Sequence, residues 1–303
     1  MPLYQNHTGA LKNIAESSFK LEKEIQQLIE NNLDTLMGLE LVKSEFSIKN
    51  KRIDTLAFDR QSNGFVIIEY KRDRNMSVID QGFAYLSLML ENKAEFIIEY
   101  NESMQKHLKR DEIEWSQSRV VFVAPSFTEN QKLATNFQDI AIELWEVKKY
   151  ERDLVSINPI RKSSKESVRQ VAGKDSKIEE VTKEIKVYTE EDHFSRCSEA
   201  IRELYEEFKS RVLSLDDIEV SPTKYYIGFK RNNRVITDVE FLKGHVKQRI
   251  NLKSGQLDDP RGLFRDVSQL GHWGVGDYEA KYGPNVDLDY LMSLMKQAYR
   301  HHR

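Results

Sequence analysis

One cysteine stands among 303 residues, and that scarcity removes two options at once. Cys197 has no intrachain partner for a disulfide, and a single thiol cannot build a multi-thiolate zinc site. Long apolar runs are missing too. The most apolar stretches, residues 65–68 and 120–124, fall far short of the ~20 residues that cross a bilayer. The first five residues carry no basic stretch leading into an apolar core, so no signal peptide is expected. A reduced, cytoplasmic protein with no membrane partner is the expectation. Nor is there an excess of positive charge: 46 Lys and Arg against 49 Asp and Glu leave a net charge of -3. That argues against a surface given over entirely to phosphate backbones, but basic residues can still gather on one face. Internal repeats and low-complexity tracts are absent.

What is present reads as a soluble globular chain, 39% hydrophobic and 31% charged, long enough for two domains at a prior of ~150 residues each. Leu21, Ile25, Leu28, Ile29, Leu33 and Leu36 recur near helical period, which predicts a helix over residues 19–36, capped by Ser17 or Ser18 and stopped at Gly38. Alternating stretches at 45–49 and 52–59 predict a hairpin through Asn50-Lys51. Gln61-Ser62-Asn63-Gly64 marks a second turn, before the nearly continuous apolar strand Phe65-Val66-Ile67-Ile68-Glu69-Tyr70-Lys71. A helix over 78–91, capped by Ser77, a strand over 94–100 and a polar connection follow. Strands at 119–124 and 140–147 flank a helix at 129–137. The order predicts an α/β fold, a mixed sheet covered by helices.

Residues 161–188 lose apolar periodicity and read as a linker between domains at 1–160 and 189–303. The second, smaller α+β domain is expected to hold a helix at 192–213, strands at 224–230, 235–242 and 246–252, and a closing helix at 288–299 capped by Asp287. Lys243, His245, Lys247 and Arg249 alternate as a basic stripe on an expected edge strand, there to touch phosphate or to keep the edge soluble. His272, Trp273 and Tyr278 lie in a Gly-rich region and either stack on a base or, as the favoured reading, pack in the core.

Chemistry is concentrated in the first half. Glu69 and Lys71 are two apart on a strand and leave the same face, while Tyr70 points the other way. If the two strands pair about Gln61–Gly64, Asp54 falls opposite Glu69 and Lys71. Two carboxylates can hold a Mg²⁺ ion, and a lysine beside them can stabilise charge or orient water.

This stretch, Arg52-Ile53-Asp54-Thr55-Leu56 … Ile68-Glu69-Tyr70-Lys71, resembles the PD-(D/E)XK nuclease superfamily, and more closely its NucS-type mismatch endonucleases. The family's Pro is replaced by Ile53. The resemblance implies a restriction-endonuclease-like core (helix, three-strand meander, helix, strand). It also implies a Mg²⁺- or Mn²⁺-dependent endonuclease acting on nucleic acid, with DNA the expected substrate in defence or repair, either as a monomer or as a homodimer. Asp54 and Glu69 would then bind metal, with Glu22 as third carboxylate and Glu24 as its substitute. Lys71 and Gln81 would serve catalysis, Gln81 preceding Tyr85 by one helical turn. Lys51, Arg52, Arg72, Arg74 and Tyr85 would contact nucleic acid, with Lys49 in support. His107 is expected to be exposed. The alternative is an inactive nuclease fold that binds nucleic acid or a protein partner. The second half resembles an uncharacterised domain sometimes labelled a predicted transport protein.

Overall fold

A computed structural model describes residues 2–72, 77–164, 166–167, 181–270 and 275–302. The chain divides into two compact units, one of Met1–Asp34 with Leu39–Val187, the other of Thr35–Gly38 with Tyr188–Arg303.

The first unit opens with a hairpin, β1 (Leu3–His7) and β2 (Ala10–Ile14), followed by β3 (Glu16–Ser17). None of these strands is announced by apolar alternation, and Ser17 therefore lies in a strand and caps no helix. Helix α1 (Glu22–Glu30) starts from Leu21 without a side-chain cap. The expected helix does not run on to residue 36. Asn32 turns its side-chain amide back onto the Leu28 carbonyl at 2.8 Å, competing with the backbone for that acceptor, and a separate helix, α2 (Leu33–Met37), follows.

Strands β4 (Glu40–Ile48), β5 (Lys51–Asp59) and β6 (Gly64–Tyr70) form an antiparallel meander. The left-handed φ values of Lys49 and Asn63 make its two turns. Helices α3 (Val78–Glu91) and α4 (Lys93–Met104) then carry the chain to β7 (Arg119–Ala124), parallel to β6. Helix α5 (Glu129–Thr135) leads to β8 (Ile142–Tyr150), parallel to β7, and β9 (Val155–Pro159) folds back on β8. The sheet order is β3-β8-β7-β6-β5-β4, with β9 also paired to β8. The fold is mixed α/β.

The expected strand at 94–100 is instead the body of α4. Ile97-Ile98 gave it a β-like look, but Ile98 is exposed. The residues that bury themselves are Phe96 and Tyr100, four apart, so the period is helical. Phe96 meets Phe46 edge-on at 5.3 Å and Tyr100 tilts on Phe58 at 4.8 Å. The expected linker also differs at its far end: Val181 and Ile185 are buried in the first unit's core, and the Lys186 N–H donates to the Ser116 carbonyl at 2.9 Å.

Helix α3 approaches the sheet closely because it carries Gly82. A Cβ there would stand 2.4 Å from Ile142 Cδ1 and 2.9 Å from its Cγ1, and Ile142 is fully buried. Gly82→Ala is therefore expected to destabilise this unit by about 1–2 kcal/mol, overpacking outweighing the gain in helix propensity. Urea unfolding would measure it; an unchanged midpoint would show that Ile142 can move aside freely.

The second unit contains α6 (Glu191–Phe194), α7 (Glu199–Leu213), β10 (Ile218–Pro222), β11 (Ile227–Arg231), β12 (Arg234–Leu242), β13 (His245–Ile250), β14 (Arg265–Asp266), β15 (Tyr278–Tyr282) and α8 (Leu288–His301). Its sheet is antiparallel, in the order β10-β11-β12-β13-β15-β14. Its core joins Ile201, Tyr205 and Phe208 of α7 with Leu291 and Met295 of α8 against Val239, Val246 and Ala280. The strand with the basic stripe, β13, is not an edge: it lies between β12 and β15, and Arg249 is buried among carboxylates. Tyr278 is buried, its hydroxyl accepting from the Gly255 N–H at 2.7 Å. His272 and Trp273 lie outside the described residues. No helix among the described residues is long and apolar enough to cross a membrane.

Candidate active site

The site forms where the meander meets the parallel half of the sheet. Thr55 pairs with Ile68, and the next position outward sets Asp54 level with Glu69. There the backbone ladder gives way to side chains. The Asp54 N–H donates to Glu69 Oε1 at 3.3 Å, and the Tyr70 N–H donates to Asp54 Oδ2 at 3.1 Å. Each carboxylate thus takes a backbone N–H where the β5–β6 ladder ends. Lys71 sits on the same face as Glu69 and holds Oε2 at 3.2 Å, while its own N–H donates to the Val123 carbonyl of β7 at 2.9 Å.

Helix α3 completes the site. Ser77 caps it by accepting from the Asp80 N–H at 3.3 Å. Gln81 Nε2 then reaches Glu69 Oε2 at 3.4 Å and the Tyr85 hydroxyl at 3.2 Å. The same hydroxyl bonds to Glu69. Because a carboxylate can only accept, the amide must present nitrogen to Glu69. Its oxygen, Gln81 Oε1, is buried and has no hydrogen-bond partner among the described residues.

Electrostatically the pair is uncomfortable. Burial raises the Asp54 carboxyl above its ordinary range, with the Tyr70 N–H and Lys71 opposing and Glu45 and Glu22 adding to the rise. Burial raises Glu69 as well, and the charge of Asp54 raises it further against Lys71 and the Tyr85 hydroxyl. Glu69 is only 2% exposed. Two partly buried carboxylates with one ammonium, held on Glu69, leave negative charge uncompensated, and hard oxygen donors in that state suit a divalent cation. The unpartnered Gln81 oxygen beside them is a further acceptor for a proton or a cation. The donor set fits Mg²⁺ or Mn²⁺, with Asp54 and Glu69 as the residues that would hold it.

Glu22 does not join them in a three-acid cluster. Among the described residues no three His, Cys, Asp or Glu side chains gather in that way. Its Oε1 instead accepts from the Arg72 N–H at 2.9 Å. Glu24 is likewise engaged, accepting from the Lys20 N–H at 3.1 Å. Tyr85 is buried and turned to Glu69, so it shapes the site from within and offers no face to a base. Arg52 shares the strand face of Asp54 but is paired with Glu45 at 2.9 Å, and Lys51 is exposed beside it. Arg72 is exposed, its guanidinium donating to the Lys20 carbonyl at 3.1 Å. His107 is exposed. Arg74 lies outside the described residues.

Sequence reasoning missed the support beneath the site. Gln26 of α1 donates to the Asp54 carbonyl at 3.0 Å, to Glu30 at 3.0 Å and to Ser44 at 3.1 Å. Glu30 also accepts from Thr55 Oγ1 at 2.5 Å, and Thr55 meets the Tyr70 hydroxyl at 3.1 Å. Its only trace in the sequence is a Gln and a Glu four apart on one face of α1.

The fold and the site together define an α/β sheet protein with two carboxylates and a lysine meeting where the pairing of two adjacent strands ends. A protein from Haemophilus influenzae (strain ATCC 51907 / DSM 11121 / KW20 / Rd), described as an uncharacterized protein, is 49% identical over 302 residues, covering 99% of this chain and 100% of its own. The chain belongs to the same family as that protein. Residues 190–302 match the family described as "Domain of unknown function (DUF5655)". Among solved structures, a repair endonuclease from Pyrococcus abyssi is 23% identical with a TM-score of 0.23, covering 40% of this chain and 44% of its own. EndoMS in its apo form is 20% identical with a TM-score of 0.26, covering 41% and 44%. Pyrococcus furiosus SfsA in complex with Ca²⁺ is 14% identical with a TM-score of 0.24, covering 45% and 61%. The chain thus spans less than half the length of these two endonuclease chains.

Proposed function

We propose that the first unit is a metal-dependent nuclease of the PD-(D/E)XK type, hydrolysing phosphodiesters in DNA with Mg²⁺ or Mn²⁺. One observation carries the reading: the Asp54 and Glu69 carboxylates converge from neighbouring strands with Lys71 on Glu69, and both resist ionisation in that place. Asp54 and Glu69 would hold the ion. When bound, it supplies Lewis-acid charge to a phosphoryl oxygen and eases deprotonation of water.

The chain's own groups do the rest. Lys71 keeps an ammonium beside the carboxylates, where it neutralises charge that builds on the phosphoryl oxygens. Its backbone bond to β7 and its contact with Glu69 fix it from two sides, so little reorganisation is needed during reaction. Gln81, locked through Nε2, offers Oε1 as an acceptor that orients the attacking water. Residues 189–303 would act as a separate module that selects a target or a protein partner.

The test is cleavage of supercoiled plasmid and of labelled oligonucleotides with Mn²⁺, against EDTA. Lys71→Ala is expected to lower the rate on the order of 10²–10³-fold, the cost of removing one preorganised charge donor, with the fold intact by circular dichroism. Cleavage that survives both Lys71→Ala and Glu69→Ala would remove the assignment. Salt-dependent DNA binding with no metal-dependent product would move the chain to the non-cleaving alternative.

A further inference from the structure

Beside the candidate site, at the carboxyl ends of the parallel strands β6, β7 and β8, lies a cleft of about 600 Å³. Ligands in open α/β sheets settle outside those strand ends, and the volume lies within the ~300–1,000 Å³ typical of ligand sites. Ser17 and Lys20 line it from β3 and the loop beyond, Arg72 from the residue next to Lys71, and Lys148 and Lys149 from β8. Among the described lining residues four side chains are cations and one is a carboxylate, Glu16, which Lys148 approaches at 3.4 Å.

This positive charge is concentrated, in a chain whose net charge is -3. Lys20 is exposed, and the ammonium of Lys149 stands 6.0 Å from the centre of the buried Phe19 ring. The Arg72 backbone is tied to Glu22 and its guanidinium to the Lys20 carbonyl, which fixes the wall shared with the candidate site. Apolar Phe19, Pro125 and Val147 also line the cleft, but its hydroxyl and ammonium donors at the end of a parallel sheet suit phosphate oxygens.

We propose that this cleft is a phosphate subsite, gripping the nucleic-acid backbone at a nucleotide next to the phosphodiester that is cut. Cutting at the neighbouring phosphodiester rests on the nuclease reading, whereas the binding of backbone phosphate rests on the cleft alone. The cleft carries no sequence information. It sets where along a strand Asp54, Glu69 and Lys71 are presented.

Fluorescence anisotropy of the full chain with a short labelled DNA oligonucleotide, in EDTA and over a salt series, separates the two claims. Lys20→Ala with Lys149→Ala is expected to weaken binding about tenfold and to reduce the salt slope by about 1–2, as expected when one or two phosphate contacts are lost. Lys149→Arg should hold affinity, and Lys109→Ala, outside the cleft, should leave it unchanged. If the double variant keeps wild-type affinity and slope while wild-type protein cleaves in Mn²⁺, the subsite is wrong and the nuclease reading stands. If wild-type protein binds with the cleft-dependent slope but never cleaves, the subsite stands and the hydrolysis reading falls. Wild-type protein that binds no DNA at all overturns both.

Discussion

Asp54→Asn is expected to lower metal-dependent cleavage by on the order of 10³-fold or more, the equivalent of several kcal/mol of lost charge stabilisation, and to make the first unit more stable. Both effects follow from one arrangement. Asp54 and Glu69 are drawn together by backbone bonds; burial makes ionisation of both costly, and the charge of Asp54 adds to that cost at Glu69. Asparagine keeps an oxygen for the Tyr70 N–H and removes one charge. The gain should be roughly 1 kcal/mol, the scale of an ordinary single substitution.

The pH dependence has a definite sign. Both carboxyls hold protons more tightly in the folded chain than their ordinary values of 3.8 and 4.5 imply. Their contribution to stability is therefore fully present below about pH 4 and is lost as pH rises through the raised values. Asp54→Asn should flatten that loss, so its advantage is larger at pH 8 than at pH 5. Hydrogen exchange at β5 and β6 amides in EDTA reports on this unit alone. A variant no more stable at pH 8 than wild-type protein would show that the carboxylates are not in conflict.

The meander was legible from the residues because its signals are local. Gln61–Gly64 closes a turn, strand period puts Glu69 and Lys71 on one face, and pairing about that turn brings Asp54 alongside. Gln81 and Tyr85 were legible as neighbours on α3, but not the direction Tyr85 takes. That direction depends on Gly82 letting the helix close on Ile142, a tertiary matter. The failures have the same root. Residues 94–100 carry β-branched side chains in a helix whose burial repeats every four residues, and Phe96 and Tyr100 show it only once Phe46, Phe58 and Phe65 surround them. Strand β3, and the cleft that it lines with β8, are assembled from residues more than 120 positions apart. No local pattern announces such a pairing.

Arg249→Met is the substitution expected to damage the second unit most. Arg249 is 1% exposed, with its guanidinium 3.0 Å from Asp238, 3.2 Å from Glu240 and 3.4 Å from Glu279. Asp238 and Glu279 are its cross-strand neighbours on β12 and β15, so the sequence alternation that looked like a soluble edge is an internal ladder of charge. Glu279 has further cations in Arg265 at 2.8 Å and Lys247 at 3.6 Å. Asp238 is fully buried, and besides Arg249 it accepts from the Val275 N–H at 3.0 Å. Burial pushes its carboxyl up to about 6 even with Arg249 and that N–H opposing.

Removing the guanidinium leaves that carboxylate buried and uncompensated, at a cost of about 3–5 kcal/mol near pH 8. In wild-type protein the Asp238 contribution is fully present below its ordinary 3.8 and lost as pH rises through about 6. At pH 5 the folded variant can hold a proton on Asp238, so the damage there should be much smaller. Hydrogen-exchange protection of β12 and β13 amides, corrected for the intrinsic rate at each pH, measures both. Asp238→Leu added to Arg249→Met should recover most of the loss at pH 8, because an apolar pair of similar volume needs no compensation. An equal loss at both pH values, or a double variant no better than the single, would mean that Arg249 stabilises the sheet through the packing of its stem, with no part played by the charge it brings to Asp238.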